Sequence, residues 1–416
     1  MATTTTRPSV DASHPRTTER RFFPELEGMR GLAAMGVLTT HVGFSSGMIG
    51  FMDKEANGFL GVMLQQLQVS LPIFFILSGM LLYRPFALAT LAGTRKPAVK
   101  PYLWRRALRT LPAYWVLVAV AMTFLNRENI HGAWQVIRAV LLLQVYQLDS
   151  RTVAQGLEQT WTLATEVAFY ALLPLMARAL DKISGSSADP GVRVRRILWA
   201  LSSLVVIGFA FCVWTELPSM GEYPMQNEWP PKWLGFIAVG MGLAALSAAA
   251  DLSPATVPAF YRWMMKNPLG CWAAAAAVYV VACVRPIGQP GHADYPDMAG
   301  GLTEMFLYLL FGLFIVAPVT VPRGRSKFVV AAMSNPVMRF LGRISYGLYL
   351  WHIAIIYFWH GSLFEAGGFW ELYSVTLGGS IVLATASFYL VESPAMKLRE
   401  RLGKASAGPS VETIHS

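Results

Sequence analysis

The sequence predicts an all-α, polytopic transmembrane helix bundle, and three observations predict it. Hydrophobic residues fill 54% of the 416 positions and charged residues only 14%, where a soluble domain carries about 25% charged residues. Apolar runs recur along the chain, each near the roughly 20 residues that a helix needs to cross a hydrocarbon layer about 30 Å thick. The basic residues gather in a few loops between those runs, as the positive-inside rule expects.

Taken in order, residues 1–21 form a Thr- and Arg-rich tail too poor in apolar residues to bury a core. No small-residue cleavage site follows it, so no cleavable signal peptide is expected. Ten apolar spans are read near 26–50, 62–83, 108–126, 160–179, 196–216, 231–250, 267–285, 299–320, 343–364 and 374–393. An eleventh stretch, 132–148, is short and carries Arg138 in its middle.

Charge decides how to treat it. The basic groups fall in the tail with Arg16, Arg20 and Arg21, the loop from Arg84 to Arg109, the segment 178–196, the Arg323–Arg343 cluster, and Lys397, Arg399 and Arg401. The intervening loops carry Glu216, Glu222, Glu228, Asp294, Asp297, Glu365 and Glu371. Ten crossings with both termini cytoplasmic put every basic cluster inside. The stretch 132–148 is then an interfacial or re-entrant helix on the outer side. The expected organisation is a tail at 1–21, a transmembrane domain at 22–396, and a basic then polar tail at 397–416. Loops are short and no fixed-period repeat is present.

The net charge of +10 does not point to nucleic acid, because no basic patch with interleaved aromatics stands clear of the membrane. Cys212, Cys271 and Cys283 all lie in apolar spans. They form neither a disulfide framework nor a metal-ligand spacing, so no metal is expected.

Chemistry concentrates where polar residues interrupt apolar runs. In the first span, Arg30 and His41 are eleven positions apart. At about 100° per residue they share a helix face, roughly 16 Å apart along the axis. Ionisable groups at that depth are costly and usually functional. Histidine suits a general base, because burial can hold it unprotonated. Arginine keeps its charge and offers a planar fork to phosphate or carboxylate. The bland alternatives are a packing histidine and a snorkelling helix-end arginine.

Further along, Ser78 and Gly79 form a small patch suited to close helix packing. Arg105, Arg106 and Arg109 crowd the inner mouth of a span, where they either anchor orientation or grip a polyanion. Glu166 lies inside a span, with Tyr170 one turn on, and a buried carboxylate needs a partner. Arg343, Ser345, Tyr346, Tyr349 and His352 follow one another on the ninth span. His352 and His360 read as packing or interface residues. Glu392 and Pro394 read as a structural helix end.

Five blocks together resemble the acyltransferase-3 family of integral membrane O-acyltransferases. They are Leu26-Glu27-Gly28-Met29-Arg30-Gly31 with His41, the block Phe74 to Gly79, the block Arg105 to Trp115, the block Trp161 to Tyr170, and Ser345 to His352. Glu27 stands where the family has Asp, and Val167 and Ala168 replace a second Glu and a Gln after Glu166, so an acidic role there rests on Glu166 alone. No SGNH-type hydrolase domain is expected within the chain.

The resemblance implies a bacterial inner-membrane enzyme. It would move an acyl group, expected to be acetyl, from cytoplasmic acyl-CoA to a hydroxyl of a cell-envelope glycolipid or polysaccharide. It implies His41, Glu166 and Arg30 as catalytic, His41 acting as general base or acyl carrier and Glu166 orienting it. It implies Arg30, Arg105, Arg106, Arg109, Arg343, Ser345 and Tyr346 as donor-binding residues. The expected partners are acyl-CoA, the hydroxyl-bearing acceptor and membrane lipid, with homo-oligomerisation left open. Competing readings are acylation of a macrolide-type metabolite, a lipid or glycan transporter using the same intramembrane residues, and a non-catalytic envelope component.

Overall fold

The computed structural model describes residues 23–49, 58–146, 154–221, 224–284, 297–322, 325–364 and 367–398. The tail expected at 1–21, and the one expected at 397–416 from residue 399 on, lie outside the described residues. Every regular element among the described residues is helical.

The α-helices are α1 (Pro24–Ser45), α2 (Gly58–Gln66), α3 (Ser70–Ala92), α4 (Val99–Val120), α5 (Ala133–Val140), α6 (Trp161–Ser184), α7 (Pro190–Thr215), α8 (Pro230–Leu252), α9 (Ala259–Lys266), α10 (Pro268–Val284), α11 (Met298–Val316), α12 (Lys327–Ser334), α13 (Pro336–His360) and α14 (Phe369–Ser387). Two π-helical turns extend α4 and α14, over Ala121–Leu125 and Phe388–Glu392.

Seven helical segments among the described residues are long and apolar enough to cross a membrane, or eight if α9 and α10, bent by 99°, count as one broken span. The helices α1 and α13 have 22 and 25 residues, ample length for a crossing. They carry the polar groups singled out above, Arg30 and His41 on one and Arg343 and His352 on the other, which lowers their hydropathy. The ten-span count and the cytoplasmic termini stay expectations. The stretch 132–148 is no continuous helix: α5 has eight residues, about 12 Å of rise, too short to span.

Two helix pairs organise the bundle. One is α3 with α8, the other α1 with α13. Both depend on missing side chains. A Cβ on Gly240 would lie 2.0 Å from the Ile76 carbonyl oxygen, and one on Gly342 would lie 2.2 Å from the Glu27 carbonyl oxygen. Backbones this close gain dispersion contacts that larger residues would forbid, which is how apolar helices associate without a hydrophobic drive between them.

The main core runs between α3, α8, α6, α7 and α11, with Phe75, Met80, Phe236 and Met241 fully enclosed. Ion pairs fasten the ends of the helices. Arg84 donates to Asp251 at 2.9 Å and to Ser247 at 3.2 Å, and Arg325 reaches both carboxylate oxygens of the buried Glu25 at 2.9 Å. Part of the basic loop read as a topology signal therefore ties α3 to α8.

Candidate active site

The packing of α1 against α13 and α3 brings the interrupting polar residues together in two adjoining hollows. The first is a narrow pocket of about 60 Å³. Arg30 of α1, Arg106 and Arg109 of α4, Ser78 of α3, Glu166 and Tyr170 of α6, and Tyr346 and Tyr349 of α13 line it. The sequence explains the convergence. Arg106 and Arg109 are three apart on one helical face, and Glu166 and Tyr170 are four apart on another.

The single carboxylate of this pocket lining is fully engaged. Glu166 accepts from the Ser78 hydroxyl and, at 2.9 Å, from the Tyr170 hydroxyl. The arginines are less satisfied. The Nε atoms of Arg30 and Arg106 are buried without a hydrogen-bond partner. Glu392, held by the π-helical turn after α14 and 5% exposed, interacts electrostatically with Arg109 and Arg30 from outside the lining. Tyr346 donates to the Thr110 carbonyl at 2.7 Å and so ties α13 to α4 behind the pocket.

The second hollow is a cavity of about 400 Å³ lined by His41. His41 does not meet Glu166. It meets His352 on α13. The His41 Nδ1 lies 2.9 Å from the Val37 carbonyl oxygen and 3.2 Å from His352 Nε2, with ring centroids 4.9 Å apart. The His352 Nδ1 lies 3.2 Å from the Leu348 carbonyl oxygen.

One proton arrangement satisfies every contact, inferred from the acceptors around each ring. A carbonyl can only accept, so both Nδ1 atoms carry hydrogen. The His352 Nε2 is then an acceptor, and the His41 Nδ1–H is shared between it and Val37. The arrangement leaves His41 Nε2 as the basic nitrogen. His352 is 0% exposed and lines neither hollow.

The two hollows share three residues, Leu71, Thr162 and Tyr349. The Thr162 and Tyr349 hydroxyls lie 2.5 Å apart, and Tyr349 also donates to the Gln159 carbonyl. A pair of hydroxyls thus forms the partition between the arginine pocket and the histidine cavity.

Of the residues expected from sequence, Arg30, Arg106, Arg109, Glu166 and Tyr346 share the first pocket and His41 lines the second cavity. Three expected donor contacts are not in either lining. Arg105, although four residues from Arg109 on α4, is absent from both linings. Arg343 is exposed at the start of α13. The Ser345 hydroxyl is buried and turned back to the Gly342 carbonyl at 2.9 Å. Glu166 as the residue orienting His41 is likewise corrected, because Ser78 and Tyr170 occupy its two oxygens and His352 holds the histidine. Ser78, expected only to allow close packing, is one of those partners, while Gly79 does pack directly against α8.

A family model described as an acyltransferase domain matches residues 23–391. The chain belongs to this acyltransferase family. Among its curated relatives are the peptidoglycan O-acetyltransferase OatA of Listeria monocytogenes, 25% identical over 395 residues, and a Bacillus subtilis protein named "Putative peptidoglycan O-acetyltransferase YrhL", 25% identical over 394 residues. Each alignment covers 91% of this chain and 56% of the relative. A Staphylococcus aureus (strain COL) protein named "Putative O-acetyltransferase" is 25% identical over 390 residues, 91% of this chain and 58% of its own length. The chain thus spans little more than half the length of these relatives. No solved structure matches it.

Proposed function

We propose that this chain is a membrane O-acyltransferase that moves an acetyl group from acetyl-CoA to a hydroxyl of a cell-envelope polysaccharide or glycolipid. Family membership supports acyl transfer. The observation that carries the reading is the junction of the two hollows: an arginine pocket and a histidine cavity meeting at one hydroxyl pair. Arg30, Arg106 and Arg109 outnumber Glu166 in the first pocket. Guanidinium forks with unused N–H groups suit the phosphates of coenzyme A. The roughly 16 Å of helix between Arg30 and His41 is comparable to the arm that separates those phosphates from the thioester.

In the reaction, the acetyl thioester reaches past Thr162 and Tyr349 toward His41. The His41 Nε2 takes the proton of the acceptor hydroxyl as its oxygen attacks the thioester carbonyl carbon. A C–O bond forms, the C–S bond breaks, and the departing thiolate recovers the proton from the imidazolium as CoA-SH. His352 stabilises the required tautomer by accepting from Nδ1–H. Tyr349, whose proton goes to the Gln159 carbonyl, and Thr162, which then donates to Tyr349, hold the partition that the thioester passes. With the donor pocket on the cytoplasmic side and the acceptor cavity toward the outside, the acetyl group crosses part of the bilayer in one transfer. The inner membrane of a bacterium provides that arrangement.

The test uses the full chain reconstituted in liposomes with radiolabelled acetyl-CoA and a cell-envelope glycan extract. Acetyl-ester formation with stoichiometric CoA release is expected. Glycan movement without CoA release would instead establish transport.

A further inference from the structure

The histidine cavity has walls that the acyl-transfer chemistry alone does not require. Glu158, Glu228 and Glu304 line it, against one lysine, Lys232. That lysine is already engaged, 2.6 Å from the Asn227 side-chain oxygen and 3.6 Å from a Glu216 carboxylate oxygen. Among the residues that line the cavity with His41, two carry buried acceptor atoms without partners, Glu158 Oε2 and Gln159 Oε1. Gln159 is 2% exposed. Its amide is oriented by donation from Nε2 to the Leu350 carbonyl at 2.6 Å, which leaves the oxygen as the unmatched end. Glu158 is oriented by the Tyr357 hydroxyl at 2.7 Å on its other oxygen. A buried acceptor left unmatched is costly, so the cavity calls for a ligand that brings hydrogen-bond donors. The Trp161 and Trp233 rings, with centroids 4.9 Å apart and planes tilted by 43°, supply an aromatic wall of the kind found in ligand sites.

We infer that this cavity is the acceptor site and that it selects an acceptor whose reacting portion is an uncharged polyol, with hydroxyls donating to Glu158 Oε2 and Gln159 Oε1 and a ring face lying on Trp161 and Trp233. The inference rests on the acyl-transfer reading for its meaning, and it adds a charge rule. A carboxylate or phosphate next to the reacting hydroxyl brings only acceptors to walls whose unmatched atoms are themselves acceptors and whose lysine is engaged, and is rejected. The same walls keep the polyanionic donor on the arginine side of the partition, so donor and acceptor sort themselves by charge.

The test reads binding without needing transfer. The purified full chain is treated with diethyl pyrocarbonate, and carbethoxylation of the His41 peptide is followed by mass spectrometry. The probes are maltotetraose, which is neutral, and tetragalacturonate, of similar size but anionic. Maltotetraose is expected to protect His41 at concentrations about ten-fold lower than tetragalacturonate. Gln159→Leu and Glu158→Gln should each weaken that protection by about ten-fold, while coenzyme A still protects Arg30 from phenylglyoxal, showing that both variants are folded. Equal protection by both sugars, protection by the anionic sugar alone, protection by neither, or indifference to Gln159→Leu overturns the inference. Each of these results leaves CoA release, the readout of acyl transfer, to be judged separately.

Discussion

The pocket around Arg30 and the cavity around His41 share Leu71, Thr162 and Tyr349, yet the rest of their walls carry different polar groups. The pocket has three arginines and a carboxylate whose oxygens are both engaged. The cavity has three glutamates, one lysine engaged by its neighbours, and a neutral histidine. They differ in size as well, about 60 Å³ against about 400 Å³. The contrast teaches how one helix can serve both: α1 presents its arginine to one hollow and, three turns on, its histidine to the other. The sites need not be far apart if the polar groups of each exclude the other's ligand.

Substitutions break the comparison at either end. The largest effect is expected on the cavity side. His41→Ala removes the base, and transfer should fall by about 10²- to 10⁴-fold, measured as acetyl-ester formation, with donor binding intact. On the pocket side, Arg30→Ala should raise the KM for acetyl-CoA by about ten- to a hundred-fold, the scale of one charge-assisted hydrogen-bond partner. Arg30→Lys should recover part of it, because the charge is kept and the fork lost. Arg343→Ala, at an exposed position outside both hollows, should change neither constant.

A smaller effect sharpens the role of the second histidine. His352→Ala should lower kcat by about ten-fold with little change in KM, since the tautomer of His41 is no longer fixed. His352→Gln, whose carbonyl can still accept from Nδ1–H, should restore part of the loss. A purely structural His352 would instead lower the yield of folded protein and leave kcat per folded molecule unchanged. The smallest effect concerns the frame. Gly342→Ala places a methyl group against the Glu27 carbonyl and should cost about 1–3 kcal/mol of stability, seen as a lowered Tm in detergent.

Much of the fold was legible because apolar length is a property of the sequence itself. Among the described residues the ten apolar runs fall largely on helices, the second of them divided between α2 and α3. The exclusion of 132–148 as a span was legible from charge placement and is matched by the shortness of α5. Of the site, Arg30 and His41 were legible because both lie on one helix, where spacing fixes their relation. Arg106 with Arg109, and Glu166 with Tyr170, were legible for the same reason.

What joins different helices was not. His352 and His41 are 311 positions apart, and no local pattern says which helix faces which. The same holds for Ser78 with Glu166 and for Thr162 with Tyr349. The Gly342 contact with Glu27 was the nearest thing to a signal, since small residues on both helices permit the approach that brings the two histidines together. Glu158 and Gln159 stood three and two positions ahead of the block read as functional, and their unmatched acceptors become evident only with their neighbours in place.

The most direct measurement is a structure of the full chain with coenzyme A bound. The account predicts the phosphates against Arg30, Arg106 and Arg109, and the thiol directed at the Thr162–Tyr349 partition with His41 beyond it. Coenzyme A lying in the glutamate-walled cavity, or its thiol pointing away from that partition, would contradict it.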